Sequence, residues 1–132
     1  RASFSYTAST SPTVKDFNVY GGGYETDGTV KIGNSLAADL GIEYSFTKYW
    51  VFAIDLVYNY QSQSTFSGHP GVNLNGTPAS VGAPSNDLFS VAPALEYNPS
   101  PNMGFLGGVW VSVTGRNTSN FASLVLTMFY SW

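Results

Sequence analysis

Apolar and polar residues alternate along most of this chain with a period of two. From Val30 to Phe46 the even positions read Val, Ile, Asn, Leu, Ala, Leu, Ile, Tyr and Phe. The odd positions, Lys31 to Ser45, read Lys, Gly, Ser, Ala, Asp, Gly, Glu and Ser. Successive side chains of a β-strand point to opposite faces, so this split predicts a long strand with one apolar and one polar face. The stretch 49–61 repeats it, with Trp50, Phe52, Ile54, Leu56, Tyr58 and Tyr60 on one side and Asp55 and Asn59 on the other. The pattern predicts six strands in all, at about 2–10, 29–46, 49–61, 87–98, 103–114 and 121–132, in a single domain over 1–132. Pro93 interrupts one of them and predicts a bulge, because proline cannot donate to a ladder. No apolar run approaches the ~18 residues that a transmembrane helix requires.

The connections alternate too. Those at 11–28 and 62–86 are long and rich in Gly, Ser, Asn and Pro, those at 47–48 and 99–102 are short, and that at 115–120 is intermediate. Short turns at one end, long loops at the other and strands of nine or more residues are the signature of an outer-membrane barrel. The fold class expected is all-β: an antiparallel transmembrane β-barrel, six strands of which lie in this chain. A further short hairpin could lie within 13–27, around Gly21-Gly22-Gly23.

Composition sharpens the choice of environment. Charged residues make up 10% of the 132 residues, against ~25% in soluble domains. The net charge of −3 and the five basic residues exclude a nucleic-acid binder, which needs a basic patch. The polar face is mostly Ser, Gly, Ala and Thr, and its charges are Lys31, Asp39, Glu43, Asp55 and Glu96. Small polar residues suit a water-filled lumen, and the lumen-lining candidates are Lys31, Ser35, Asp39, Glu43, Asp55, Asn59, Glu96 and Trp110. The apolar face carries no charge between strand ends, and Asn34 is its one strongly polar residue. Tyr44, Phe46, Trp50, Tyr97, Tyr130 and Trp132 gather near the short-turn end as candidate membrane anchors. Tyr58, Tyr60, Phe89 and Phe121 form a second set toward the long loops.

The hairpin around Thr47-Lys48 predicts an acidic patch. If Ser45 faces Tyr49, Asp39 lies opposite Asp55; a register shifted by one pair places Asp55 opposite Gly41, with Asp39 and Glu43 diagonal. Like charges at such spacing are destabilising, so a countercharge is expected, from a basic residue in a part of the barrel outside this chain. Catalytic chemistry is not expected. The one His, His69, lies in a Gly/Pro-rich loop with no orienting carboxylate in the sequence around it; no metal-ligand spacing exists, there is no Cys, and no cofactor is implied.

The ending Leu124-Val125-Leu126-Thr127-Met128-Phe129-Tyr130-Ser131-Trp132 resembles the C-terminal strand of Gram-negative outer-membrane barrels, with a terminal aromatic and apolar residues at alternate positions before it. That resemblance implies an outer-membrane location, contact with lipid, and recognition by the barrel-assembly machinery through this strand. The run Ser45-Phe46-Thr47-Lys48-Tyr49-Trp50-Val51-Phe52-Ala53-Ile54-Asp55 and, after the loop, Ser90-Val91-Ala92-Pro93-Ala94-Leu95-Glu96-Tyr97 resembles the C-terminal half of the transporter family of the meta-pathway of phenol degradation. It implies passive passage of small apolar or aromatic molecules. Single-chain barrels have eight or more strands. Six therefore implies the C-terminal part of a longer barrel, which the resemblance favours, or homo-oligomeric pooling, two copies making twelve and three making eighteen, or the further hairpin within 13–27. Two other functions compete: a structural or adhesive barrel acting through its loops, and a soluble lipocalin-like binder with the apolar face as its core.

Overall fold

In the computed structural model, which describes residues 1–132, the alternating segments form strands and no helix. In chain order these are β1 (Ala2–Thr7), β2 (Thr13–Lys15), β3 (Asp27–Lys31), β4 (Ser35–Ser45), β5 (Trp50–Gln61), β6 (Thr65–His69), β7 (Asn86–Ser100), β8 (Met103–Arg116) and β9 (Ala122–Tyr130). They make two antiparallel sheets, one of six strands in the order β1-β4-β5-β7-β8-β9, the other of three in the order β2-β3-β6. The larger sheet is open, with β1 and β9 at its edges.

The long strand expected over 29–46 is split, and the break falls at Gly33 and Asn34. Gly33 lies so close to the Ser62 carbonyl that a side chain there would collide with backbone. Asn34 Nδ2 donates to the Tyr6 hydroxyl at 2.7 Å, and its Oδ1 accepts from Ser9 N at 3.1 Å. The polar exception on the apolar face is thus the residue that ties the break down. Lys31 consequently belongs to β3 in the smaller sheet, not to the wall with the other lumen candidates.

The chain divides into two compact units. One comprises 6–36 and 60–86 and contains the three-stranded sheet. Its core holds Val14, Val30 and Ala79, with Val30 fully buried. Thr26, 2% exposed, organises the surrounding loops: its hydroxyl accepts from Gly23 N at 2.7 Å and donates to Pro70 O at 2.7 Å. A hairpin does lie within the first long connection, but its paired strands are β2 and β3. Gly21 and Gly22 lie in the loop between them, at φ of 103° and 100°, where L side chains are disfavoured.

The second unit comprises 1–5, 37–59 and 87–132. The β4–β5 turn is closed by Thr47, whose Oγ1 accepts from Tyr49 N at 3.1 Å and Trp50 N at 3.0 Å. The β7–β8 register runs unchanged past Pro93, from Val91↔Val111 to Ala94↔Gly108, so no bulge forms there. The bulge lies between Phe89↔Thr114 and Ser90↔Ser112, leaving Val113 as the extra residue. It moves Thr114 onto the face of Phe89 and ends the strict alternation expected through 114.

Candidate functional site

The polar face of the larger sheet is assembled by backbone pairing. Arg1 and Gly41 exchange both main-chain hydrogen bonds at 2.8 Å. Phe46 N donates to Trp50 O at 3.2 Å, which places Asp55 opposite Gly41. Of the two registers open to the hairpin, this is the one with Asp39 and Glu43 diagonal to Asp55. Gly41 has no side chain, and the Asp55 carboxylate occupies that space: a Cβ on Gly41 would stand 2.5 Å from Asp55 Oδ1 and 3.6 Å from Arg1 Nε. Arg1 Nη2 donates to Asp55 Oδ1 at 3.2 Å. The countercharge thus comes from the neighbouring strand of this same chain. Arg1, just before β1, has the parity of Ser3 and Ser5, which gives its face but not its partner.

Arg1, Glu43, Asp55 and Glu96 surround a cavity of about 330 Å³ floored by Ala53 and Ala94. Four charges around a floor of methyl groups leave room for a solute or hydrated ion and give it a negative bias, three carboxylates against one guanidinium. Glu96 Oε1 accepts from Asn98 Nδ2 at 2.8 Å, which holds that carboxylate in place. Asp39 shares the parity of Glu43 on β4, and its Oδ1 is shielded from solvent without a hydrogen-bond partner. Ser35 opens β4, and Asn59, near the end of β5, is exposed. Trp110 donates its indole N–H to the fully buried Ser90 Oγ at 3.0 Å and meets Phe121 edge-to-face at 5.2 Å. Phe121 therefore sits beside Trp110 on the polar face and does not belong to a second belt on the apolar one.

The apolar face has an order of its own. Phe46 pairs with Trp50, the Trp50 and Tyr97 rings lie 4.6 Å apart, Tyr97 is opposite Phe105, and Phe105 is opposite Met128. Tyr130 pairs with Met103 in the adjoining row. Three of the anchor candidates, Phe46, Trp50 and Tyr97, thus join Phe105 in a row of direct cross-strand neighbours on β4, β5, β7 and β8. Tyr44 lies on β4 with the parity of Phe46, and Trp132 is fully exposed beyond β9.

His69 lies at the end of β6, opposite Asp27, with Nδ1 3.1 Å from Glu25 O and 3.3 Å from Gly71 N. Both contacts are to backbone, which gives the ring a role in fixing the loop. No three His, Asp or Glu side chains gather to hold a metal ion. No protein-family model, curated protein or solved structure matches this chain.

Proposed function

We propose that this chain forms part of the wall of a β-barrel in a Gram-negative outer membrane, and that the barrel passes small molecules passively along the face carrying Asp55 and Glu96. One observation carries the reading: the larger sheet has no buried apolar side chain, although its apolar face is continuous. Val14, Val30 and Ala79, the buried hydrophobic residues of the chain, all belong to the other unit. On the larger sheet Leu124, Leu126 and Met128 are 72%, 74% and 65% exposed. The accessible surface is 8750 Å², where a compact monomer of this mass exposes about 6,800 Å². A sheet that leaves such a face uncovered needs an apolar solvent, and lipid supplies one. A soluble lipocalin-like binder would bury that face as its core.

Spacing along the strands agrees. From Trp50 to Tyr58 the chain advances about 27 Å at ~3.4 Å per residue, enough for a tilted strand to cross much of the ~25 Å apolar band. The polar face supports passage of solute: small side chains leave space, and the charges around the cavity favour cations or polar parts of a solute. The resemblance to the phenol-pathway transporters favours apolar or aromatic cargo, and the barrel-assembly machinery would read the C-terminal strand.

Spin labels at Ile54 and Asp55 test the reading. In lipid vesicles the label at 54 is expected to collide with oxygen and the label at 55 with an aqueous quencher. Equal access at both positions, or a chain that stays soluble without detergent, overturns it.

A further inference from the structure

We infer that His69 is a proton-operated latch: its neutral ring holds the loop after β6 in place through Gly71, and its protonated ring releases Gly71 and grips Glu25 instead. The inference stands apart from the membrane reading, since every residue it uses lies in the unit that contains the three-stranded sheet. A single atom carries it. His69 Nδ1 lies 3.1 Å from the Glu25 carbonyl oxygen, which can only accept, and 3.3 Å from Gly71 N, which can only donate. One ring nitrogen cannot donate and accept at once, so it serves one of the two.

The surroundings decide which. Gly71 is buried, and its N–H has no other acceptor in the fold. Glu25 is exposed, so its carbonyl has water within reach. A buried N–H without a partner costs more than a carbonyl that turns to solvent. The neutral ring therefore keeps its proton on Nε2 and points the Nδ1 lone pair at Gly71. When a proton from water binds Nδ1, both ring nitrogens become donors. The bond to Gly71 breaks and one to Glu25 O forms. His69 is itself exposed and open to that proton.

The charge around the ring accommodates it. Lys15, Asp27 and His69 form one cross-strand row over β2, β3 and β6, with Lys15 Nζ 3.9 Å from Asp27 Oδ2. Asp27 is thus the direct neighbour of the imidazolium. Lys31 stands at the far end of β3, opposite Thr65, and Asp16 and Glu25 lie on the connection from β2 to β3; residues 70–85 carry no charge. Gly71 is also the base of the loop whose tip is 73–77. Its carbonyl accepts from Ala79 N at 3.0 Å, and Asn73 N donates to Thr77 O at 2.8 Å. Acid therefore loosens this loop at its base, while Val72, which exchanges both main-chain bonds with Tyr24 at 3.0 and 2.8 Å, stays paired.

Hydrogen exchange of the full chain, folded in detergent micelles, tests the latch. The comparison is between about pH 8 and about pH 5, the two sides of the range in which histidine changes charge. On acidification the Gly71 amide is expected to lose protection roughly tenfold, after correction for the intrinsic exchange rate. Val72 is expected to keep its own. The nitrogen spectrum of the His69 side chain should show the Nε2–H tautomer at the higher pH. In His69→Gln, whose amide oxygen accepts from Gly71 but takes up no proton, Gly71 should stay protected at both pH values. In His69→Lys, which offers no acceptor, it should be unprotected at both. Equal protection of Gly71 in the native chain at the two pH values, an Nδ1–H tautomer at the higher, a parallel loss at Val72, or a pH dependence that survives in His69→Gln overturns the latch. The first three readings need no variant, so a misfolded variant leaves the test intact.

Discussion

Asp55 shows how much a single position depends on its neighbours. Its carboxylate lies where Gly41 lacks a side chain and where Arg1 brings a guanidinium. The pair is exposed, with 69% and 39% of its side chains accessible, so it contributes at most ~1 kcal/mol to stability and is screened by salt. Its consequence is electrostatic. Replacing Asp39 and Asp55 together by Asn is expected to shift ion selectivity toward anions in planar bilayers. Arg1→Gln should shift it toward cations. Both effects should shrink between ~0.01 M and ~1 M salt, as the Debye length falls from ~30 to ~3 Å. Unchanged reversal potentials in both variants would remove these residues from the solute path.

Strands bring two further tests. On β8 Gly107 and Gly108 are adjacent but differ in surroundings. A Cβ on Gly108 would stand 2.6 Å from Pro93 O and 2.8 Å from Ala94 Cβ, whereas one on Gly107 meets only Leu126 Cδ2 at 3.7 Å. Backbone oxygen cannot move aside as a side-chain tip can. Gly108→Ala is therefore expected to lower the urea midpoint of the folded protein by the equivalent of ~1–3 kcal/mol, with Gly107→Ala near neutral. On β9 the faces separate in the same way. Leu126→Arg is expected to cost ~2–4 kcal/mol in lipid, while Thr127→Arg, on the cavity face, is tolerated. Equal losses at 126 and 127 would contradict the assignment of faces.

At the scale of the molecule, the proposed membrane setting covers the larger sheet with lipid and leaves the smaller sheet and its loops open to attack from solution. The segment Asn73-Leu74-Asn75-Gly76-Thr77 forms an open tip: Leu74 is 83% exposed, and space around Gly76 is empty. Thermolysin added to intact cells is expected to cut beside Leu74, since exposed loop tips are the usual sites of nicking. The Thr47-Lys48 turn should be spared, because the topology expected of an outer-membrane barrel puts short turns on the periplasmic side. Mass spectrometry of the released peptides checks both, and cleavage at 47–48 would invert the orientation.

Period-two alternation was enough to mark β5, β7, β8 and β9 within a few residues, and to set Asp55 and Ile54 on opposite faces, because strand geometry fixes side-chain direction locally. The same rule limited the hairpin to two registers. It could not choose between them, since both keep parity; the choice came from Phe46 pairing with Trp50 and from the gap at Gly41, contacts between strands. Nor could it find the break at Gly33-Asn34, because alternation continues through it and the cause is the carbonyl of Ser62, twenty-nine positions on. The bulge at Val113 and the placing of Arg1 beside Asp55 have the same origin. Local pattern determined which face a strand residue presents up to the bulge at Val113; tertiary structure placed that bulge and decided what stands opposite each residue, because pairing partners come from remote parts of the chain.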